Sequence, residues 1–133
     1  MKALLDTDVL LDVALRREGF FQASAALMGW GEAHPARLSV AWHSLANLFY
    51  LVRPDPREFI MELLEFVDVP EVGRKEMLAA LGFPMTDLED AMQVATALAG
   101  GAEFVVTRNL RDYRRSPVPA CSPEEALKRL QHG

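Results

Sequence analysis

The chain has 133 residues, half of them hydrophobic and a quarter charged, the balance of one ordinary globular domain with a substantial core. No apolar run nears the roughly 18–20 residues of a spanning helix, the single cysteine closes no internal disulfide, and three His with one Cys are a poor basis for a zinc site. A net charge of −5 argues against a broad nucleic-acid footprint, yet leaves room for a small site that holds a phosphodiester through metal ions. With no basic, apolar and small-residue leader pattern at the start, the expectation is a cytoplasmic protein that stays off the membrane.

The first stretch, Lys2 to Asp6, is an apolar run ending in a carboxylate. Parallel strands buried on both faces read this way, and open α/β sheets bind ligands outside the carboxyl ends of such strands. Asp6 is therefore the residue on which other polar groups are expected to converge. Asp8 is assigned as the cap of a short helix over residues 9–15. A second helix is expected from Glu18 or Gly19 through Phe20, Phe21 and Leu27 to Trp30, with Gly31 as its stop.

Residues 37–40 predict a short strand, and residues 41–52 a helix with Trp42, Leu45, Leu48, Phe49 and Val52 at helical spacing. Pro54 and Pro56 close it. An amphipathic helix follows over residues 58–65, then an edge strand over residues 66–69, then a helix from Pro70 to Leu81. Thr86 and Glu89 form a capping-box pair for a helix ending at Gly100-Gly101, with Leu88, Ala91, Met92, Ala95, Leu98 and Ala99 facing inward. Residues 103–107 predict a second buried strand ending at Thr107. Residues 119–121 supply a last short strand, and Ser122 caps a final helix over residues 123–130. Alternating strands and helices imply one α/β domain over residues 1–133, a three-layer α/β/α sandwich around a parallel sheet of about five strands.

This topology would bring together three polar clusters: Asp6, the pair Asp87 and Asp90, and the run Thr107-Arg108-Asn109-Leu-Arg111-Asp112. Gathered carboxylates repel one another unless a positive charge neutralises them. Mg²⁺ or Mn²⁺ favours such oxygen ligands, and acids around such a metal suit phosphodiester hydrolysis. Arg108, Arg111, Arg114 and Arg115 make a local basic patch suited to RNA phosphates in an otherwise acidic chain.

Leu5-Asp6-Thr7-Asp8-Val9-Leu10, Asp87-Leu-Glu-Asp90-Ala91-Met-Gln93 and Val106-Thr107-Arg108-Asn109-Leu-Arg-Asp112-Tyr113 resemble, in order and spacing, the three signatures of the PIN domain family. Residues 39–53, with Phe49-Tyr50-Leu51, are similar to the helix after the second strand in one of its subgroups. The resemblance implies a VapC-like, metal-dependent ribonuclease that cuts single-stranded RNA to leave a 5′-phosphate. It also implies a homodimer and a toxin's antitoxin partner.

Carried over by position, Asp6 is the first metal-binding acid and Asp90 the third. The second falls on Asn47, and the fourth on Asn109, with Asp112 one turn onward as substitute. Thr107 positions the site from its strand end, as the family's Ser/Thr does; the residues themselves, apart from the resemblance, suggest Asp8 and Asp87 as its support and Arg108 and Arg111 as RNA contacts. Asn47 offers a neutral oxygen where the family usually has Glu, as in a subgroup with Asn at the second acidic position, a loss of roughly 1–3 kcal/mol for a charged contact. That substitution also opens an alternative: a PIN-like module that binds RNA or an antitoxin with weak or no cleavage.

Asp6-Thr7-Asp8-Val9 resembles in addition the Asp-x-Asp start of haloacid-dehalogenase-type phosphatases. Those enzymes need a Lys soon after the Thr-bearing strand, and the only Lys after Thr107 is Lys128, in the last helix. A receiver-type phospho-acceptor fails on the same missing Lys.

Overall fold

Ala3–Leu5 form β1, the strand around which the sheet is laid out. All three residues are buried: Ala3 and Leu5 enter the larger core, while Leu4 packs on the opposite face. The computed structural model describes residues 1–133. In chain order, β1 is followed by α1 (Thr7–Ala14), α2 (Phe21–Ala33), β2 (Leu38–Val40), α3 (Trp42–Leu51), α4 (Arg57–Leu63), α5 (Arg74–Gly82) and α6 (Leu88–Gly100). Then come β3 (Phe104–Val106), a 3₁₀ turn (Leu110–Tyr113), β4 (Ala120–Cys121) and α7 (Pro123–His132).

The sheet has four strands in the order β2-β1-β3-β4, and every pairing is parallel. Leu27, Met28, Leu48, Val52, Ala126 and Leu130 bring α2, α3 and α7 onto one face with α1. Val94 and Ala97 bring α6 onto the other with Val118 and Tyr113. Helix α5 packs outside α6 through small residues, Ala80 against Ala91 and Ala95. This is the expected α/β/α arrangement.

The differences from expectation have local causes. The fifth strand reduces to one bridge between Ser39 and Asp68, held by Val40 N–H to Asp68 O and Asp68 N–H to Leu38 O, with Ala36 N–H to Phe66 O just before it. Helix α1 starts two residues earlier than expected because Asp6, not Asp8, is its cap. Helix α2 begins at Phe21 and runs through Gly31, which is interior. A Cβ at that position would stand 2.5 Å from Leu38 Cδ1, so this glycine serves close helix–sheet packing rather than termination. Helix α5 begins at Arg74, not at Pro70.

Asp87, not Thr86, caps α6. Ala91 and Ala95 are buried as expected, joined by Gln93, Val94 and Ala97, while Leu88, Leu98 and Ala99 are exposed. Gly101, at φ +74°, ends α6 as expected, in a conformation that favours glycine. In α3, Leu48 is fully buried but Trp42 and Phe49 face outward.

Candidate active site

β1 and β3 are neighbours whose outgoing connections run to opposite sides of the sheet, so their carboxyl ends flank its switch point. The register Leu5↔Val106 makes Asp6 and Thr107 the next residues on the two strands, and Asp6 N–H donates to Val106 O at 2.9 Å. The strand pairing itself thus sets Asp6 beside Thr107.

Asp6 is nearly buried, and both its oxygens are engaged. Oδ1 accepts from Thr7 N–H at 2.7 Å and from Gln93 Nε2 at 3.2 Å. Oδ2 accepts from Thr107 Oγ1 at 2.9 Å and from the Tyr113 hydroxyl at 3.0 Å. Burial pushes the Asp6 carboxyl above its ordinary range, against the lowering effect of these donors.

Asp90 stands in the first turn of α6, where its backbone N–H donates to Asp87 Oδ1 at 3.0 Å. Its own Oδ1 lies 3.4 Å from the Tyr113 hydroxyl. Burial, then the charges of Asp6, Asp87 and Asp112, raise its pKa from 3.8 to about 7. Asp8 reaches across to the loop after β3. Its Oδ2 accepts from Arg108 N–H at 3.1 Å, from Thr107 Oγ1 at 3.2 Å and from Asn109 Nδ2 at 3.2 Å. Asp8 Oδ1 is buried with no partner, and burial followed by the Asp6 charge lifts this carboxyl to about 6. Asp8 is thus a tie to the β3 loop rather than a helix cap.

Asp112 is exposed on the 3₁₀ turn and lines the same groove as Asp6, Asp8, Asp90 and Asn109. Asn109 turns its amide nitrogen to Asp8, and its backbone N–H donates to Thr107 Oγ1 at 3.1 Å. Asn47 borders the groove, but its Nδ2 donates to Glu89 Oε1 at 2.6 Å. Arg108 is turned inward: its Nε meets Asp12 Oδ2 at 2.6 Å, and its guanidinium lies 3.9 Å above the Phe20 ring. Arg111, with Arg114 and Arg115, lines a separate polar hollow of about 900 Å³ that shares Asp87 and Asp112 with the acidic groove.

Three participants escaped sequence reasoning. Gln93 is fully buried, and its Nε2 bonds Ser44 Oγ at 2.8 Å and Thr7 Oγ1 at 3.2 Å as well as Asp6. Its place one helical turn after Asp90 was the available signal. Tyr113 follows Asp112 directly, but nothing local shows that its hydroxyl turns back to the acids. Asp12 is fully buried and holds Arg108. His43, its Nε2 buried without a partner, is held below its ordinary pKa by burial.

The donor set is all hard oxygen, its charges repel, and one carboxylate oxygen is orphaned. These features fit a divalent cation. No three of the acids stand close enough to form a finished cage, and a Mg²⁺ site needs only one or two carboxylates with water completing the shell.

A parallel sheet with carboxylates gathered at the switch point defines an α/β/α domain with an acidic groove at its carboxyl edge. The family model described as PIN domain matches residues 2–111, and the chain belongs to that family. Among solved structures it is similar to a toxin–antitoxin complex from Klebsiella pneumoniae, at 18% identity and TM-score 0.67, covering 92% of this chain and 98% of that one. It is also similar to VapBC2 from Rickettsia felis bound to a promoter DNA fragment, at 15% identity and TM-score 0.67, with coverage of 92% and 98%. A third is FitAcB from Neisseria gonorrhoeae, at 15% identity and TM-score 0.59, with coverage of 91% and 97%. No curated protein matches by sequence.

Proposed function

We propose that the chain is a divalent-metal-dependent endoribonuclease that hydrolyses single-stranded RNA in the cytoplasm, acting as the toxin of a toxin–antitoxin pair. The observation that carries this reading is the meeting of Asp6 and Asp90 at one hydroxyl, at the switch point of the sheet. Membership of the PIN domain family supports it.

Mg²⁺ or Mn²⁺, when bound, supplies water activation and neutralises charge on the leaving oxygen. Asp6 and Asp90 would hold the ion, with Asp112 and Asn109 at the groove wall. Thr107, Thr7 N–H and Gln93 fix the Asp6 carboxylate so that it needs little reorganisation. Asp87 orders the first turn of α6 and so the backbone of Asp90. Asp8 ties down the β3 loop. Arg111, Arg114 and Arg115 would take flanking RNA phosphates in the hollow beside the groove. Arg108 serves that loop through Asp12 rather than reaching for substrate.

An antitoxin and a second copy of the chain are the partners this reading expects. Exposed Trp42, Tyr50 and Met61, each more than two-thirds accessible, support apolar protein contacts. Asn47 favours a second reading: α3 carries a neutral amide where the resemblance calls for an acid, as in a binding module without turnover. Incubating the purified protein with mixed-sequence single-stranded RNA and Mn²⁺, Mg²⁺ or EDTA separates the two. Metal-dependent fragments ending in 5′-phosphate are expected; binding without fragments in every metal condition would leave the module.

A further inference from the structure

The Tyr113 hydroxyl stands 3.0 Å from Asp6 Oδ2 and 3.4 Å from Asp90 Oδ1. One phenol therefore fills the space between the two acids best placed to hold a cation. The residue is 4% exposed, its ring packed with Leu4, Val94, Ala97 and Val105 on the sheet's second face and with Val118 in the loop before β4. Such a ring has no room to swing aside. A hydroxyl carries one proton and serves one carboxylate fully at a time, and Asp6, at the shorter distance, is its first acceptor.

We propose that Tyr113 is a placeholder for the cation, a positioning residue that satisfies Asp6 and bridges to Asp90 while the groove is empty and thereby sets how tightly a divalent ion binds. This rests on the metal-site reading above and deepens it. In the metal-free protein the hydroxyl gives Asp6 a fourth hydrogen bond and keeps two repelling carboxyls apart around a polar atom. For both acids to turn to a cation, the donation from Tyr113 must be surrendered, and the fixed ring keeps the oxygen in place. Affinity is thus held down by a bond already made. Thr107, Thr7 N–H and Gln93 still hold Asp6 when that donation is lost, so the phenol oxygen is dispensable for the shape of the site.

The test compares wild type with Tyr113→Phe, which keeps the ring and removes only the hydroxyl. Mn²⁺ binding is measured by calorimetry, and thermal unfolding is followed in EDTA and in Mn²⁺. The variant is expected to bind Mn²⁺ on the order of tenfold more tightly, the worth of one hydrogen bond to a charged group. It should melt lower than wild type in EDTA and gain more on adding Mn²⁺. Equal Mn²⁺ affinity in the two proteins would overturn the placeholder and leave the metal site standing. Weaker binding by Tyr113→Phe would also overturn it, by making the phenol oxygen a ligand. Absence of Mn²⁺ binding in both proteins would overturn the metal-site reading itself, and the placeholder with it.

Discussion

Asn47 on α3 donates its side-chain amide to Glu89 on α6 at 2.6 Å. Glu89 directly precedes Asp90 and lines the same groove. The position where the family resemblance calls for a second acid thus carries an amide that draws a carboxylate from the neighbouring helix. Under the proposed metal site, Glu89 on α6 would stand in at the groove wall for the charge missing from α3.

It follows that restoring an acid at position 47 will not help. Asn47→Glu sets two carboxylates against each other and loses the hydrogen bond. Cleavage at saturating Mn²⁺ is expected to stay at or below the wild-type rate. The metal-free thermal midpoint is expected to fall by about 2–4 °C, the effect of roughly 1 kcal/mol in a domain of this size. Adding Glu89→Gln should recover that loss. A faster enzyme from Asn47→Glu alone would show that Glu89 contributes nothing.

The Asp12–Arg108 pair fastens the loop that carries Thr107. Asp12 is fully buried and the Arg108 side chain is 23% exposed, so removing Arg108 leaves the buried carboxylate only the longer contact to Arg17 at 3.8 Å. Arg108→Ala is expected to lower stability by about 1–3 kcal/mol in urea unfolding. Asp12→Leu combined with Arg108→Leu should recover much of that loss. If Arg108→Ala instead leaves stability intact while weakening RNA binding, the side chain belongs to the substrate and not to the loop.

Asp8 and Asp90 have pKa values raised by folding, from 3.8 to about 6 and about 7. Between pH ~4 and ~7 the native state therefore binds more protons than the unfolded chain. The stability these groups contribute is complete below pH ~4 and lost as pH rises through 6 and 7. His43, whose pKa burial lowers, acts in the opposite sense, so the contrast with Asp90→Asn isolates the acid. In EDTA that variant is expected to melt above wild type at pH 8 and to lose the advantage at pH 5. An equal difference at both pH values would mean that Asp90 is uncrowded.

Gln93 bonds Asp6, Thr7 and Ser44 with one amide nitrogen, in full burial. Gln93→Leu removes that donor from Asp6 and from the hydroxyl pair. Roughly 1–3 kcal/mol of stability should go with it, along with a weaker hold on Mn²⁺. A Gln93→Leu protein that binds Mn²⁺ as wild type does would confine the residue to a packing role.

The order of elements was legible because polar and glycine residues punctuate the apolar runs: Asp6, Gly101, Thr107 and Ser122 each stand at an element's end. The convergence of Asp6 with Asp90 and Thr107 followed from placing those ends on one parallel sheet. What was not legible lay in single-residue register and in distant pairs. Asp6 and Asp8 are both good caps, and only the strand register makes Asp6 the one that serves. Gly31 reads as a stop because its partner, Leu38, is visible only once helix meets sheet. Arg108 reads as a substrate cation because Asp12 lies 96 residues away in sequence. The Tyr113 hydroxyl is hidden in the same way, a core aromatic in sequence whose polar tip finds the acids only after folding.

The central claim is that Asp6 and Asp90 jointly hold the cation on which RNA cleavage depends. Its most direct test measures Mn²⁺ binding and single-turnover cleavage of an end-labelled single-stranded RNA side by side, for wild type, Asp6→Asn and Asp90→Asn. Both variants should fold, bind Mn²⁺ at least tenfold more weakly, and lose cleavage in parallel with that binding. Cleavage that persists at the wild-type rate in either variant, or in EDTA, would contradict the claim and place the reaction elsewhere on the molecule.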